Sequence, residues 1–303
     1  MKNTAAEKSI LLTFDVEDWF QVENFKGCIP FASWPLKELR VEANIHKILD
    51  LLDSLALNPK ATFFILGWIA QKVPWLVREI KDRGHEIASH GNHHHLCTSQ
   101  NRNNLLQDLQ TSRMLLEDLS GSQVFGYRAP SFAVNDAILT DIKAAGYRYD
   151  SSYNSFSMHG RYGKLDLGKS VRTGVAYCFG GSFFELPVSN LTLGGRVLPL
   201  GGGGYFRLIP FPFFKQGVKC VLARDNAFVF YSHPWEFDPE QPRVNQAPPG
   251  FRFRHYVNVK HTENKLLRLI KSFKDQNFQT CSAYLLSGRK LLCPDRQTID
   301  SRK

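Results

Sequence analysis

Over the first 150 residues, short apolar runs alternate with segments whose apolar positions recur every three or four residues. The runs SILLTFDVE (9–17), KATFFILG (60–67), HEIASHG (85–91), QVFGYR (123–128) and YRYDSS (147–152) have the length and composition of strands. Between them, helical spacing is found near 41–56, in PWLVREIKDRG (74–84), over about 103–119 and in NDAILTDIKAAG (135–146). A strand covered on both faces is apolar throughout rather than alternating, so this order predicts βα units and a parallel sheet, either open or closed into a barrel.

Beyond about residue 160 the pattern changes. GRYGKLDLGKS, FGGSFFELPVSN and LGGRVLPLGGGGYFRLIPFPFF are rich in glycine, proline and aromatic residues, which predicts hairpins and long loops. Gly201 to Gly204 lack the lysine and spacing of a phosphate-binding loop, and they are expected to turn the chain sharply at the lip of a cleft. One more strand is predicted in NAFVFYSHPWEF (226–237), followed by the loop DPEQPRVNQAPPG and a helical tail. No internal repeat interrupts this order.

Composition narrows the class. A chain of 303 residues with 43% hydrophobic content is large enough to bury an enzyme-sized core. None of its apolar runs approaches the roughly 20 residues that cross a bilayer, and MKNTAAEKS lacks the pattern of a signal peptide, so a cytoplasmic protein is expected. Cys28, Cys97, Cys178, Cys220, Cys281 and Cys293 are widely spaced, suggesting buried thiols rather than a zinc finger or a disulfide framework. The net charge is +10, and residues 236–303 hold 13 lysines and arginines against 7 acids. Such a tail suits an anionic glycan or a peripheral encounter with a membrane surface. Its charges fall in amphipathic segments such as NKLLRLIKSFKD, and no nucleic-acid signature accompanies them, so a nucleic-acid partner is not expected. The oligomeric state is not legible.

In a sheet of βα units, side chains from different strands converge at the strands' carboxyl ends. The predicted strands end in Asp15-Val16-Glu17-Asp18, His90, Arg128, Asp150 and His233, all polar or ionisable. Three acids within four positions repel one another unless a cation or an arginine stands among them. His90 and His94 are four positions apart, and on a turn entering a helix that spacing can place two imidazoles on one side. Two imidazoles and one carboxylate form a site with room for water, as catalytic metal centres have. His93 and His95 do not share that face.

TFDVED, SHGNHH, YRAPSF, YRYDSS and FYSHPWEFDP occur in the order and at roughly the spacing of the five motifs of the polysaccharide deacetylases, the NodB-homology or carbohydrate esterase family 4 enzymes. The chain resembles that family over residues 9 to about 238. Through D-V-E-D, GGRVLPLGGGGYFR and FRHYVN it is most similar to a branch associated with bacterial exopolysaccharide synthesis. The resemblance implies a distorted (β/α) barrel over 9–238, with the glycine- and aromatic-rich insertion at about 155–215, and a basic, partly helical extension over 239–303 packing on it. It also implies metal-dependent hydrolysis of an N-acetyl group from a sugar of a polysaccharide or its lipid-linked precursor, with release of acetate.

By position, the resemblance assigns Asp15 as general base, His90 and His94 as metal ligands, Arg128 as the partner of Asp15, His233 as general acid and Asp150 as the partner of His233. Zinc is the expected ion; cobalt, nickel and iron suit similar donors. The chain departs from the commonest first motif at Val16, so the acidic ligand is either Glu17 or Asp18. The two-residue repeat of a strand favours Glu17, whereas a strand ending at Val16 would suit Asp18 as well. Phe132 replaces the usual glycine of the third motif and alters the groove wall. Trp19, Phe132, Tyr205 and Trp235 are the candidate sugar-contacting residues. Two other readings stand beside this one: a cyclic amide or imide hydrolase on the same barrel, and a barrel that binds glycan without turnover.

Overall fold

The computed structural model describes residues 8–156 and 162–286. In chain order the elements are β1 (Ser9–Val16), α1 (Val41–Asp53), β2 (Ala61–Ile65), α2 (Gly67–Lys72), α3 (Pro74–Asp82), β3 (Glu86–Ser89), α4 (Arg102–Ser120), β4 (Gly126–Tyr127), α5 (Asp136–Ala144) and β5 (Tyr149–Asp150). There follow β6 (Val171–Thr173), β7 (Ala176–Cys178), β8 (Phe184–Glu185), β9 (Asn190–Leu193), β10 (Arg196–Pro199), α6 (Gly203–Leu208), α7 (Phe211–Asp225), β11 (Ala227–Ser232), α8 (Pro249–Tyr256), α9 (Thr262–Ser272), β12 (Asn277–Phe278) and α10 (Cys281–Leu286). No helix among the described residues is long and apolar enough to cross a membrane.

The main sheet runs β11-β1-β2-β3-β4-β5-β8-β7-β6, parallel from β11 to β8 and antiparallel beyond. Every residue of β1 and β2 is buried, as strands covered on both faces must be. Alternation along β1 sends Ile10, Leu12, Phe14 and Val16 into the large apolar cluster shared with the helices. Leu11 turns the other way, into a second cluster with Phe64, Ala88, Tyr149, Phe184 and Val229, which come from strands all round the sheet. The sheet therefore curls around that second cluster, giving the distorted α/β barrel.

Closure is irregular. Past β8 the chain reaches β11, where the Ser189 N–H donates to the Val229 carbonyl at 3.2 Å and the Ser189 hydroxyl accepts from Val229 N–H at 2.9 Å. Gly201 N–H then donates to Ser189 O at 2.8 Å, and Tyr231 N–H to Gly201 O at 2.7 Å. At the opposite end, α10 sits against the starts of β2 and β3: Cys281 N–H donates to the Thr62 hydroxyl and Ser282 N–H to the Glu86 carboxylate, each at 2.9 Å. Cys281 and Leu285 of that helix fill the interior cluster. β12 adds to β1. Residues 277–286 thus pack against the sheet, and residues 287–303 lie outside the described residues.

Two expectations are corrected. The loops predicted across 200–215 are interrupted by α6 and the start of α7, because Pro210 stands where a helix tolerates it, just before the first turn, and Phe214, Val218, Val221 and Leu222 fall on one buried face. Of the cysteines expected as buried thiols, Cys97 and Cys281 are buried and free, Cys28 is half-buried, Cys220 is exposed, and Cys178 is disulfide-bonded. Cys293 lies outside the described residues.

Candidate active site

The carboxyl ends of β1, β3, β4 and β11 deliver acids, histidines and an arginine to one cleft end of the barrel. Because alternate residues of a strand share a face, Asp15 follows Thr13 onto the interior side, and Glu17, just beyond the strand, stays beside it. After β3 the chain does not enter a helix. It turns irregularly, with Gly91 at φ 76° and His94 at φ 58°, a conformation costly for a residue with a Cβ. The turn is pinned by Gly67 N–H and Trp68 N–H donating to the Gly91 and Asn92 carbonyls at 2.8 and 2.9 Å, and by Asn92 N–H donating to Asp108 at 3.0 Å. Strain held in this way brings His94 back over His90, with ring centroids 5.4 Å apart.

Glu17, His90 and His94 each offer a ligand atom, and these atoms all lie within 4.8 Å of one another. The Arg128 carbonyl, 2.8 Å from His90 Nδ1, can only accept, so Nδ1 carries the proton and the Nε2 lone pair is left free. Burial pushes His90 down to about 4, keeping the ring neutral. Burial pushes Glu17 up, but the fields of His94 and His233 outweigh it and hold the carboxyl at about 2. Glu17 Oε1 accepts from the Trp235 indole at 3.2 Å, while the buried Oε2 has no hydrogen-bond donor although His94 Nε2 is 2.8 Å away. Glu17, His90 and His94 thus bring one carboxylate and two imidazoles together, a donor set that fits a divalent cation. Asp18 is elsewhere: its carboxylate accepts from the N–H groups of Trp19, Arg40 and Val41 at 2.7 to 2.9 Å and so caps the start of α1. Burial raises it to about 6. Asp18 is corrected from possible ligand to helix cap.

Arg128 is fully buried and spends its guanidinium on β1 and the chain after β5. Nη1 donates to Asp15 Oδ1 at 2.6 Å and to the Thr13 hydroxyl at 2.8 Å; Nε and Nη2 donate to the carbonyl and hydroxyl of Ser151 at 3.0 and 2.8 Å. The cation also lies 4.0 Å above the Phe64 ring. Asp15 is thereby fixed with its second oxygen 4.0 Å from His233 Nε2.

His233 Nδ1 is 2.9 Å from Glu236 Oε1, and its Nε2 is 3.6 Å from Glu17 Oε1. Burial lowers its pKa, but Glu17, Glu236 and Asp15 together outweigh that and hold it at about 9. Glu236 itself is pushed up by burial and brought down to about 2 by Arg207 and His233. Asp150, expected as the partner of His233, is not in contact with it. It accepts from the Ser152 hydroxyl at 2.6 Å and stands opposite Glu185 on the neighbouring strand, so the assignment is corrected to Glu236. Sequence reading passed over Glu236 and Arg207. A glutamate three residues after His233, in a turn starting with proline, was the available signal, since that spacing lets a side chain reach back to the residue before the turn.

The cleft above these groups is walled by Phe132, Tyr162, Tyr205, Tyr231, Trp235 and Arg254, among others. Phe132, at φ 58°, packs edge-on against Tyr231 at 4.8 Å. Trp235 is sandwiched between the rings of His233 and His255, at 5.0 and 4.0 Å, so only part of it is available to a ligand. Trp19 does not reach the cleft. Its indole donates to the Glu38 carbonyl at 3.1 Å and its ring packs on Phe20, so it is corrected from sugar contact to core residue. His93 is half-buried and His95 exposed, both edge-on to Phe31.

Residues 2–149 match the polysaccharide deacetylase family, and residues 151–286 match a domain of unknown function, DUF3473. The peptidoglycan deacetylase-like protein FGM2 of Gibberella zeae is 31% identical over 108 residues, 36% of this chain and 32% of that protein. The peptidoglycan-N-acetylglucosamine deacetylase of Bacillus cereus is 30% identical over 102 residues, 34% of this chain and 46% of that protein. The chain thus spans less than half the length of the curated relatives it matches. A solved Mycobacterium smegmatis structure, described as that of a polysaccharide deacetylase, superposes with a TM-score of 0.58 at 19% identity, covering 95% of this chain and 92% of that one. At that identity the likeness speaks for the fold alone. The first half of the chain, residues 2–149, is similar to the polysaccharide deacetylase domain.

Proposed function

We propose that the protein is a divalent-metal-dependent N-deacetylase that releases acetate from an N-acetylated sugar of a polysaccharide or of its lipid-linked precursor. The observation that carries this reading is the convergence of Glu17, His90 and His94 within 4.8 Å beside Asp15 and His233. Zinc suits two imidazoles and a carboxylate. Held by these three residues, it would supply Lewis acidity to the acetamide carbonyl and acidify water.

The chain's own residues account for the proton traffic. Asp15, fixed by Arg128, is placed to accept the proton of the attacking water as the new C–O bond forms. His233, held on Glu236, is placed to give a proton to the amine nitrogen as the C–N bond breaks, leaving acetate and a free amino sugar. A cation on Glu17 would offset that residue's share of the field on His233 and leave the share of Glu236. Burial of the carboxylates excludes bulk water and strengthens both interactions.

The relatives named as peptidoglycan deacetylases support an N-acetylglucosamine-type sugar, and the D-V-E-D branch resemblance supports an exopolysaccharide or lipid-linked one. The basic tail suits an encounter with such a substrate at a membrane surface. A cyclic amide hydrolase has less support, since both imidazoles stand with Glu17 in ligand geometry. The test is acetate release from a panel of N-acetylated oligosaccharides by zinc-loaded and chelator-stripped protein. Release by the loaded protein alone is expected; no release from any of them would overturn the reading.

A further inference from the structure

The second half of the chain, residues 151–286, matches a domain of unknown function, and it contains His233, Glu236 and Arg207. Arg207 and Glu236 are both buried, with side chains 1% and 0% exposed. The Arg207 Nε donates to Glu236 Oε2 at 2.6 Å. Its two terminal nitrogens make their hydrogen bonds to the main chain. They donate to the carbonyls of Arg254 at 2.9 Å, His255 at 3.0 Å and Val257 at 2.6 Å. These carbonyls close α8, where a helix has no partners of its own for its last four C=O groups and where a cation is favoured.

The other carboxylate oxygen of Glu236 collects the His233 ring at 2.9 Å, the Ser232 hydroxyl at 3.0 Å and the His233 N–H at 3.1 Å. Each oxygen is therefore committed, one to the ring and one to the guanidinium. Space around the carboxylate is tight as well: a Cβ on Gly203, at the start of α6, would lie 2.0 Å from Glu236 Oε1. Trp235 is clamped flat between His233 and His255, so α8 steadies the imidazole by a second route.

We propose that Arg207, seated on the main-chain carbonyls of residues 254–257, is a positioning residue that fixes Glu236 and through it the His233 ring. The segment of unknown function would then supply and orient the proton-donating half of the site, while residues 2–149 supply the half that holds the metal. A purely structural ion pair would tie α6 to the turn after β11 without needing the second carboxylate oxygen on a ring that faces the cleft. The role in turnover rests on the N-deacetylase reading; the orientation of the ring does not.

The test compares the zinc-loaded full chain with Glu236→Gln, which keeps the shape, and Arg207→Lys, which keeps the charge but loses the fork. The probe is a tetramer of N-acetylglucosamine. Glu236→Gln is expected to lower kcat by about 10²-fold and Arg207→Lys by about 10-fold, with KM within about threefold and zinc content unchanged. A long-range proton–nitrogen correlation spectrum of ¹⁵N-histidine protein gives a second readout, which does not depend on activity. His233 should carry a fixed Nδ1 proton in the parent and lose that fixed form in Glu236→Gln. Parent-like kcat in both variants, or an unchanged His233 spectrum, overturns the proposal. If the parent releases no acetate, the deacetylase reading fails, and the spectrum alone decides the positioning.

Discussion

Glu17 Oε2 and His94 Nε2 lie 2.8 Å apart, both buried, and with His90 they bring three potential ligand atoms within 4.8 Å of one another. Ligand groups brought together in the folded chain are dispersed in the unfolded one, so a cation that binds them favours the folded state. Metal binding should therefore stabilise the fold. At zinc concentrations about 100-fold above Kd, unfolding free energy is expected to rise by about 2.7 kcal/mol, read by thermal or urea melts with and without chelator. Glu17→Gln and His94→Ala should abolish that increment, and elemental analysis should find their zinc content well below one per chain. Asp18→Asn should retain zinc and instead lower stability by about 1 kcal/mol through the loss of a helix cap.

Asp15 and Arg128 form a fully buried pair, and their separate removal has different consequences. Asp15→Asn keeps the volume and is expected to reduce acetate release by about 10²- to 10⁴-fold while leaving bound metal in place. Arg128→Met strands a buried carboxylate and should cost about 3–5 kcal/mol in urea unfolding. Equal loss of stability in both variants would contradict this division.

Asp150 and Glu185 face each other on adjacent parallel strands in a region with no solvent. Burial and the neighbouring Asp150 push Glu185 well above the usual carboxylate range, so it keeps a proton when folded. The folded state then holds a proton that the unfolded chain releases above about pH 4.5, and stability falls as pH rises through and beyond that value. Glu185→Gln keeps an N–H donor toward Asp150 and an acceptor for the Tyr153 N–H without that penalty. It should be more stable than the parent at pH 8, by a margin that grows with pH, in paired denaturation curves.

His85 shows the opposite sign. Burial pushes it down to about 4, and its Nδ1 accepts from the Ala61 N–H at 3.2 Å, which requires the neutral ring. Below about pH 6.5 the unfolded chain takes up a proton that the folded one refuses, so stability drops as pH falls from 6.5 toward 4. The loss should reach about 3 kcal/mol at the acid end of that window. His85→Asn, which can still accept from Ala61, should flatten the acid limb of a stability profile measured between pH 4 and 7.

The elements over residues 9–150, except α2, were legible because their signals are local. The apolar runs of β1 and β2 and the helical spacing of α3, α4 and α5 follow from backbone repeats that every residue obeys. Residues 200–225 were harder to read. Five glycines and two prolines suggest loops, and only the packing of Phe214, Val218 and Val221 against the sheet makes α7 a helix. The barrel's closure was not legible either, since it runs through the irregular chain at Ser189 and Gly201 rather than through a strand ladder.

By itself the sequence determined which chemical groups stand at the strand ends, because apolar runs and the residues that close them are local, while Glu17 and Asp18 both stayed open as the acidic ligand. The tertiary structure decided which of those groups meet. Asp18 is drawn off to the amides of Arg40 and Val41, and Asp150 to Glu185, while Glu236 holds His233 because Arg207 and the end of α8 lock it there. A side chain's partner depends on which distant elements pack beside it, and no local pattern encodes that.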